Sequence, residues 1–171
     1  LLPFAFEVRT LRCVEDAATA IRDMVVRGAP LIGVTTAYGV ALALREHPGD
    51  SSLAAAIEHL VATRPTAVNL RWAAERMRRT VGTLPPAERA ARAYAEAAAI
   101  AEEDVASCAA IGRHGLSLLR ELAHGQGGER INVLTHCNAG WLACVDWGTA
   151  LAPVYAAHEA GLPVHVYVDE T

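Results

Sequence analysis

The sequence contains no lysine, so all 15 residues counted as Lys plus Arg are arginine. Any phosphate it holds must be gripped by guanidinium forks or by backbone N–H groups. It also lacks a basic excess: 19 acidic residues leave a formal net charge of −4, so no electrostatic footprint for nucleic acid is expected. None of the four cysteines, Cys13, Cys108, Cys137 and Cys144, falls in a C-x-x-C pair, and a metal or redox motif is unsupported. No cationic–apolar–small signal peptide opens the chain; scattered thiols without one fit a reducing cytoplasm, which is the expected location. The longest uncharged interval, Gly28 to Leu44, has 17 residues and contains Pro30, Gly33 and Gly39. That is short of a spanning helix, so a buried, tightly packed helix is expected there and no membrane partner. Apart from alanine richness there is no repeat or low-complexity tract.

What is present is a chain of 171 residues, 53% of them hydrophobic. That is enough for one sizeable domain or two small ones with an apolar core, and it excludes a disordered polar tail. The first two-thirds read as helical. Val14, Ala18, Ile21 and Val25 share one face of a helix over Val14 to Val26. Gly28 breaks it, and Pro30 suits the first turn of the next, in which Gly33, Ala37 and Ala41 form a stripe of small residues. After the turn at His47 to Asp50, with Asp50 or Ser51 as N-cap, Leu53, Ile57 and Leu60 carry a third helix. Arg64-Pro65-Thr66 interrupts it. Leu70, Ala74, Met77 and Val81 mark a fourth, and an Ala-rich stretch to about Ala123 reads as a fifth despite Gly112 and Gly115.

Gly125 to Gly128 looks like a linker, so the expected division is a helical unit at 1–125 and a second unit at 126–171. The glycines precede a strand instead of following it, which rules out the dinucleotide fingerprint. Ile131 to Leu134 reads as a strand, Thr135 to Gly140 as a loop, Trp141 to Ala160 as a helix and Val164 to Val168 as a second strand. The fold class is therefore α/β: a helical N-terminal domain followed by the first βαβ unit of a Rossmann-like domain. Parallel sheets are normally covered on both faces, so this domain reads as unfinished at Thr171. A chain that begins at Leu1 is expected to be a piece of a longer protein, inactive by itself.

In open parallel sheets, ligands bind beyond the carboxyl ends of strands. The loop carrying Cys137 and the strand end carrying Asp169 and Glu170 both reach that edge. The spacing puts Cys137 at or just before a helix N-terminus near Ala139. Such a position favours the thiolate, with Asn138 as N-cap, but a small buried residue in a tight turn fits equally well. His136 points the opposite way along extended chain and reads as structural. Arg27-Gly28-Ala29-Pro30 and Arg64-Pro65-Thr66 each set an arginine just before a helix whose first N–H groups are free. That pairing suits a small phosphate ester, although two solvated arginines at ordinary turns explain it as well.

Four ordered motifs carry a family likeness over essentially the whole chain: Met24 to Gly33, Arg64 to Leu70, Thr135 to Gly140 and Val166 to Thr171. Together they resemble the methylthioribose-1-phosphate isomerase family. Its relatives include ribose-1,5-bisphosphate isomerase and the regulatory subunits of translation initiation factor 2B. The resemblance implies the first half of a family member, usually a homodimer, that converts an aldose 1-phosphate to a ketose 1-phosphate without metal or organic cofactor. It implies that Cys137 is one of the acid/base pair and that Arg27, Gly28, Ala29 and Arg64 hold the sugar phosphate. Asn138 and Asp169 are also expected among the substrate-binding residues, Asp169 lining or bracing the site, and the resemblance implies that the partner aspartate lies beyond Thr171. The alternatives are isomerisation of ribose 1,5-bisphosphate or 5-deoxyribose 1-phosphate, or a non-catalytic regulatory relative.

Overall fold

The computed structural model describes residues 4–125 and 130–169. Five helices come first: α1 (Val14–Arg22), α2 (Ala29–Glu46), α3 (Asp50–Thr63), α4 (Val68–Val81) and α5 (Pro86–Gly125). Strand β1 (Ile131–Thr135), a single 3₁₀ turn (Trp141–Ala143), α6 (Ala152–Glu159) and β2 (Val164–Val168) follow. This is the expected α/β arrangement of a helical unit leading into a βαβ unit. Of the Gly125–Gly128 linker, Gly125 ends α5 and the other three residues lie outside the described ones, as do Glu170 and Thr171.

The uncharged run read from the sequence is α2, and it sits at the centre of the bundle. Ile32, Ala37, Val40, Ala41 and Leu44 are buried against α1, α3, α4 and α5. A helix apolar on every side belongs in a core. Its two buried threonines are satisfied within the helix: Thr35 and Thr36 hydroxyls donate to Leu31 and Ile32 carbonyls at 2.8 Å. Small residues bring neighbours close. A Cβ at Gly33 would stand 3.3 Å from the Asn69 carbonyl on α4. No helix among the described residues is long and apolar enough to cross a membrane.

Within the helical unit, boundaries depart from the periodicity in two places. The first helix stops at Arg22 instead of Val26, because Met24 takes a left-handed φ of 57° and the Val26 N–H returns to the Ala20 carbonyl at 3.0 Å. The third begins one residue early, with Gly49 as its N-cap rather than Asp50 or Ser51. Val25, expected on the apolar face of the first helix, is exposed beyond its end, whereas along α4 Leu70, Ala74, Met77 and Val81 are all buried as expected.

Helix α5 has 40 residues and so runs about 60 Å. Its first half closes the bundle, and there Arg89 is almost wholly buried, donating to the Leu84, Pro48 and Gly82 carbonyls. Glu96 is buried between Arg76 and Arg92. Its second half carries the βαβ unit. Gly112 and Gly115 are not breakers but contact points, where added Cβ atoms would reach Ala152 and Pro153 of α6. Strands β1 and β2 pair in parallel from Ile131↔Val164 to Thr135↔Val168. The register partners Leu134 and Tyr167 are both exposed, so one face of this small sheet is open.

Candidate functional site

Three segments carry the expected site residues, and two of them, the start of α2 and the loop after β1, are in direct contact. The first is the start of α2, where Gly28 has φ 93° and ψ 133°, a conformation that suits glycine. Pro30 stands in the first turn, and the Ile32 N–H returns to the Gly28 carbonyl at 3.0 Å. Arg27 and Ala29 on either side are exposed. The second segment is the Arg64 turn. Arg64 ends α3 in half-extended backbone, Pro65 forbids its continuation, and α4 starts at Val68. The Gly33–Asn69 approach sets the first turns of α2 and α4 side by side.

The third segment is the loop after β1. It packs directly on the first: a Cβ at Gly28 would come within 2.4 Å of both the Ala143 Cα and its carbonyl oxygen. Cys137 is exposed and holds a left-handed φ of 62°. Such a conformation in a residue with a Cβ is costly and concentrates where a side chain is held for a purpose. Its carbonyl accepts the Ala139 N–H at 3.1 Å, closing a tight turn around Asn138. Asn138 Nδ2 is buried and has no acceptor among the described residues.

No helix follows this turn directly, which corrects two expectations. Cys137 does not stand at a helix N-terminus, and Asn138 is not an N-cap. The expected helix Trp141 to Ala160 is instead the 3₁₀ turn and the short α6, separated by eight residues of loop. Gly140 and Cys144 are extended, and Trp147 and Gly148 have φ of 66° and 86°. A right-handed helix cannot pass through such residues. Gly148 rests against Gly140, the Asp146 carboxylate accepts the Trp147 N–H, and the Thr149 N–H donates to the Ala139 carbonyl. The loop is thus folded on itself, and α6 begins only where Pro153 permits.

At the end of β2, Asp169 is brought back to the same edge. Its carboxylate pairs with His136 Nδ1, and its N–H donates to the Thr135 carbonyl at 3.4 Å. His136 is thus engaged across the strand ends, with Cys137 next to it in the chain. Arg27, Gly28, Ala29, Cys137, Asn138 and Asp169 therefore lie on segments that touch in sequence, with Arg64 on the adjoining α3–α4 turn. Two surface grooves, of about 370 and 350 Å³, lie elsewhere: one between α5 and α6 near Trp147, the other along α4 from Pro65 to Arg79.

One cluster was not foreseen from the sequence. Asp104 and Cys108, four residues apart on α5, meet Cys144 from the loop, and one ligand atom from each lies within 4.8 Å of the others. Asp104 Oδ2 accepts the Val145 N–H at 2.8 Å. Burial pushes both thiols up, Cys144 to about 12, with Cys108 and Asp104 beside it adding to the rise. The i, i+4 spacing of Asp104 and Cys108 was visible in the sequence; the arrival of Cys144 was not.

Known proteins share this architecture. Methylthioribose-1-phosphate isomerases of Methylorubrum populi and Methylobacterium nodulans are each 65% identical over 170 residues, 99% of this chain and 46% of theirs. The chain thus spans about half the length of the curated relatives it matches. Among solved structures, 5-methylthioribose 1-phosphate isomerase from Pyrococcus horikoshii superposes with a TM-score of 0.83 at 32% identity, covering 99% of this chain and 55% of that one. Translation initiation factor eIF-2B subunit delta from A. fulgidus gives 0.80 at 39%, covering 98% and 49%. The model of the initiation factor 2 subunit family matches residues 25–171, and the chain belongs to that family.

Proposed function

We propose that the protein is an aldose–ketose isomerase that converts 5-methylthioribose 1-phosphate to 5-methylthioribulose 1-phosphate, using a site whose first half is built by this chain. The observation that carries this reading is the 65% identity to two isomerases of that name across nearly all of the chain. The eIF-2B subunit of similar fold supports a second reading, a regulatory relative without chemistry, and at 39% identity it is the more distant likeness.

The residues fit the reaction's demands. A phosphate on the anomeric carbon blocks simple ring opening, so one group must protonate the ring oxygen, and a hydrogen must then move from carbon 2 to carbon 1. Cys137 is the proton-handling group contributed by this half, and its partner carboxylate belongs to the remainder of the protein. Arg27 and Arg64, with the turn Gly28–Ala29, grip the phosphate beside the paired first turns of α2 and α4. Asn138 offers its buried Nδ2 to a substrate oxygen, an arrangement that removes the cost of an unsatisfied donor. Asp169 braces the edge through His136. No metal or organic cofactor enters this scheme. The same proposal includes a homodimer in the cytoplasm and a division of this chain at residues 125 and 126. Ribose 1,5-bisphosphate and 5-deoxyribose 1-phosphate are the competing substrates.

The test is Cys137→Ser in the full-length protein with all three sugar phosphates. Positioned acid–base groups contribute about 10²–10⁴ in rate, so kcat is expected to fall in that range while binding of the sugar phosphate persists. Unchanged turnover removes Cys137 from the mechanism. Sugar-phosphate binding without turnover in the parent protein turns the assignment to the regulatory reading.

A further inference from the structure

The donor cluster behind the site has a geometry of its own. Asp104 and Cys108 lie one turn apart on α5, and Cys144 is delivered by the loop, so the three converge only in the folded chain. Cys108 Sγ stands 3.8 Å from Asp104 Oδ1, and all three ligand atoms fit within 4.8 Å. Tetrahedral zinc, with Zn–S near 2.3 Å and Zn–O near 2.1 Å, needs ligand atoms about 3.5–3.8 Å apart. Cys108 and Cys144 are 1% and 3% exposed and Asp104 is half-buried, so three protein donors converge and the fourth tetrahedral position is left to a water. The Asp104 carboxylate is already oriented to ligate, since Oδ2 is held by the Val145 N–H at 2.8 Å and Oδ1 is left toward Cys108. An outer hydrogen bond of this kind is how ligating carboxylates are aimed.

We propose that Asp104, Cys108 and Cys144 form a binding site for a thiophilic divalent cation of the zinc class, which clamps the loop after the 3₁₀ turn to α5. Two sulfurs disfavour magnesium and calcium, which take oxygen. On binding, each thiol releases one proton and forms one metal–sulfur bond, so a dication, two thiols and one carboxylate give a site of net charge −1 and two protons in solution. Both cysteines are free thiols in the structure, with Cys108 donating to Asp104 Oδ1, so both sulfurs are available as ligands. The cation's role is structural. Ala143, whose backbone lies against Gly28, immediately precedes Cys144, so the clamp fixes the surface on which the Arg27–Gly28 turn rests. The inference does not depend on which reaction the site performs.

The experiment uses the full-length protein, reduced, stripped with chelator and titrated with cobalt(II), whose thiolate complexes absorb through sulfur-to-metal charge transfer. One equivalent per chain is expected to give that band, and zinc is expected to displace it. Cys108→Ser and Cys144→Ser each abolish the band. Asp104→Asn weakens cobalt binding at least about tenfold, and the Cys13→Ser/Cys137→Ser double variant retains it. Where a serine variant fails to fold, amide hydrogen exchange of the parent supplies the reading: zinc is expected to slow the Cys144 and Val145 amides. The proposal is overturned by a reduced parent with no band, by a band that survives Cys144→Ser or needs Cys137, by recovery of Cys108 and Cys144 as a disulfide that forms in place of metal uptake, or by exchange at those amides unchanged by zinc.

Discussion

Substitution of Gly28 by alanine tests whether the helical bundle and the loop after β1 are joined where the structure joins them. Two costs add. The backbone at φ 93° and ψ 133° is unfavourable for any residue with a Cβ, by about 1–3 kcal/mol. The new Cβ would also stand 2.4 Å from the Ala143 Cα and carbonyl oxygen and 2.5 Å from its Cβ. The first two are backbone atoms, so no rotamer change relieves them, and the 3₁₀ turn must move; overpacking of this kind costs about 1–3 kcal/mol. The expected loss is therefore roughly 2–6 kcal/mol in urea unfolding of the full-length protein. Local yielding is read separately as faster hydrogen exchange at the Ala143 and Cys144 amides, which donate to the Gly140 and Trp141 carbonyls at 3.1 Å. Adding Ala143→Gly removes only the Cβ contact and is expected to restore less than half of the loss. Gly125→Ala, with nothing within 4 Å of its Cβ, should stay within about 0.5 kcal/mol of the parent. A Gly28→Ala protein as stable as its parent, with both amides equally protected, would refute the contact.

Three further outcomes follow from the packing and charges. Arg89→Ala strips donors from three carbonyls and is expected to cost about 2–4 kcal/mol in urea unfolding, with Arg89→Lys recovering less than half because an ammonium cannot span all three. The exposed Asp50 that also pairs with Arg89 adds little, so Asp50→Asn should be nearly neutral. The Glu103 carboxyl is held below its ordinary 4.5 by hydrogen bonds from Arg76. The unfolded chain therefore binds this proton first, and stability present above pH 4.5 is lost as pH falls through the lower folded value; Glu103→Gln should flatten that acid limb in a melting series. Iodoacetamide at pH 8 should label exposed Cys137 and spare Cys108 and Cys144 until the protein unfolds. A thiol near 12 is ionised at about one part in ten thousand at that pH, and equal labelling of all three by mass spectrometry would contradict the burial.

The isomerase proposal draws on features of different kinds. The left-handed backbone at Cys137 is a local strain, and Gly28 takes a conformation that glycine alone adopts without one; the two lie on segments joined by the Gly28–Ala143 contact. Strain of this sort survives only when neighbouring structure over-determines it. The crossing of Gly148 over Gly140, the Thr149 to Ala139 hydrogen bond and the Asp104 anchor on Val145 supply that restraint. The loop is therefore held by residues well outside its motif.

Elements whose cause is local were legible in the residues alone. The spacing of Leu70, Ala74, Met77 and Val81 made α4, because a 3.6-residue period needs only one apolar partner surface, whatever that surface is. Pro30, Pro65 and Gly28 placed helix starts and stops through restrictions on their own backbone. The order strand, loop, helix, strand already implied a parallel βαβ unit. Contact between distant residues settled the rest. The helix expected from Trp141 onward was lost to the left-handed Trp147–Gly148 corner, where the approach of the Gly140 backbone leaves no room for a Cβ at position 148. Gly112 and Gly115, which look like breakers in a 40-residue helix, became the seats of Ala152 and Pro153. Cys108 and Cys144, 36 positions apart in a chain without a paired-cysteine motif, meet only because α5 and the loop pack together. Periodicity reports which face of an element is buried; it carries no information about which element buries it.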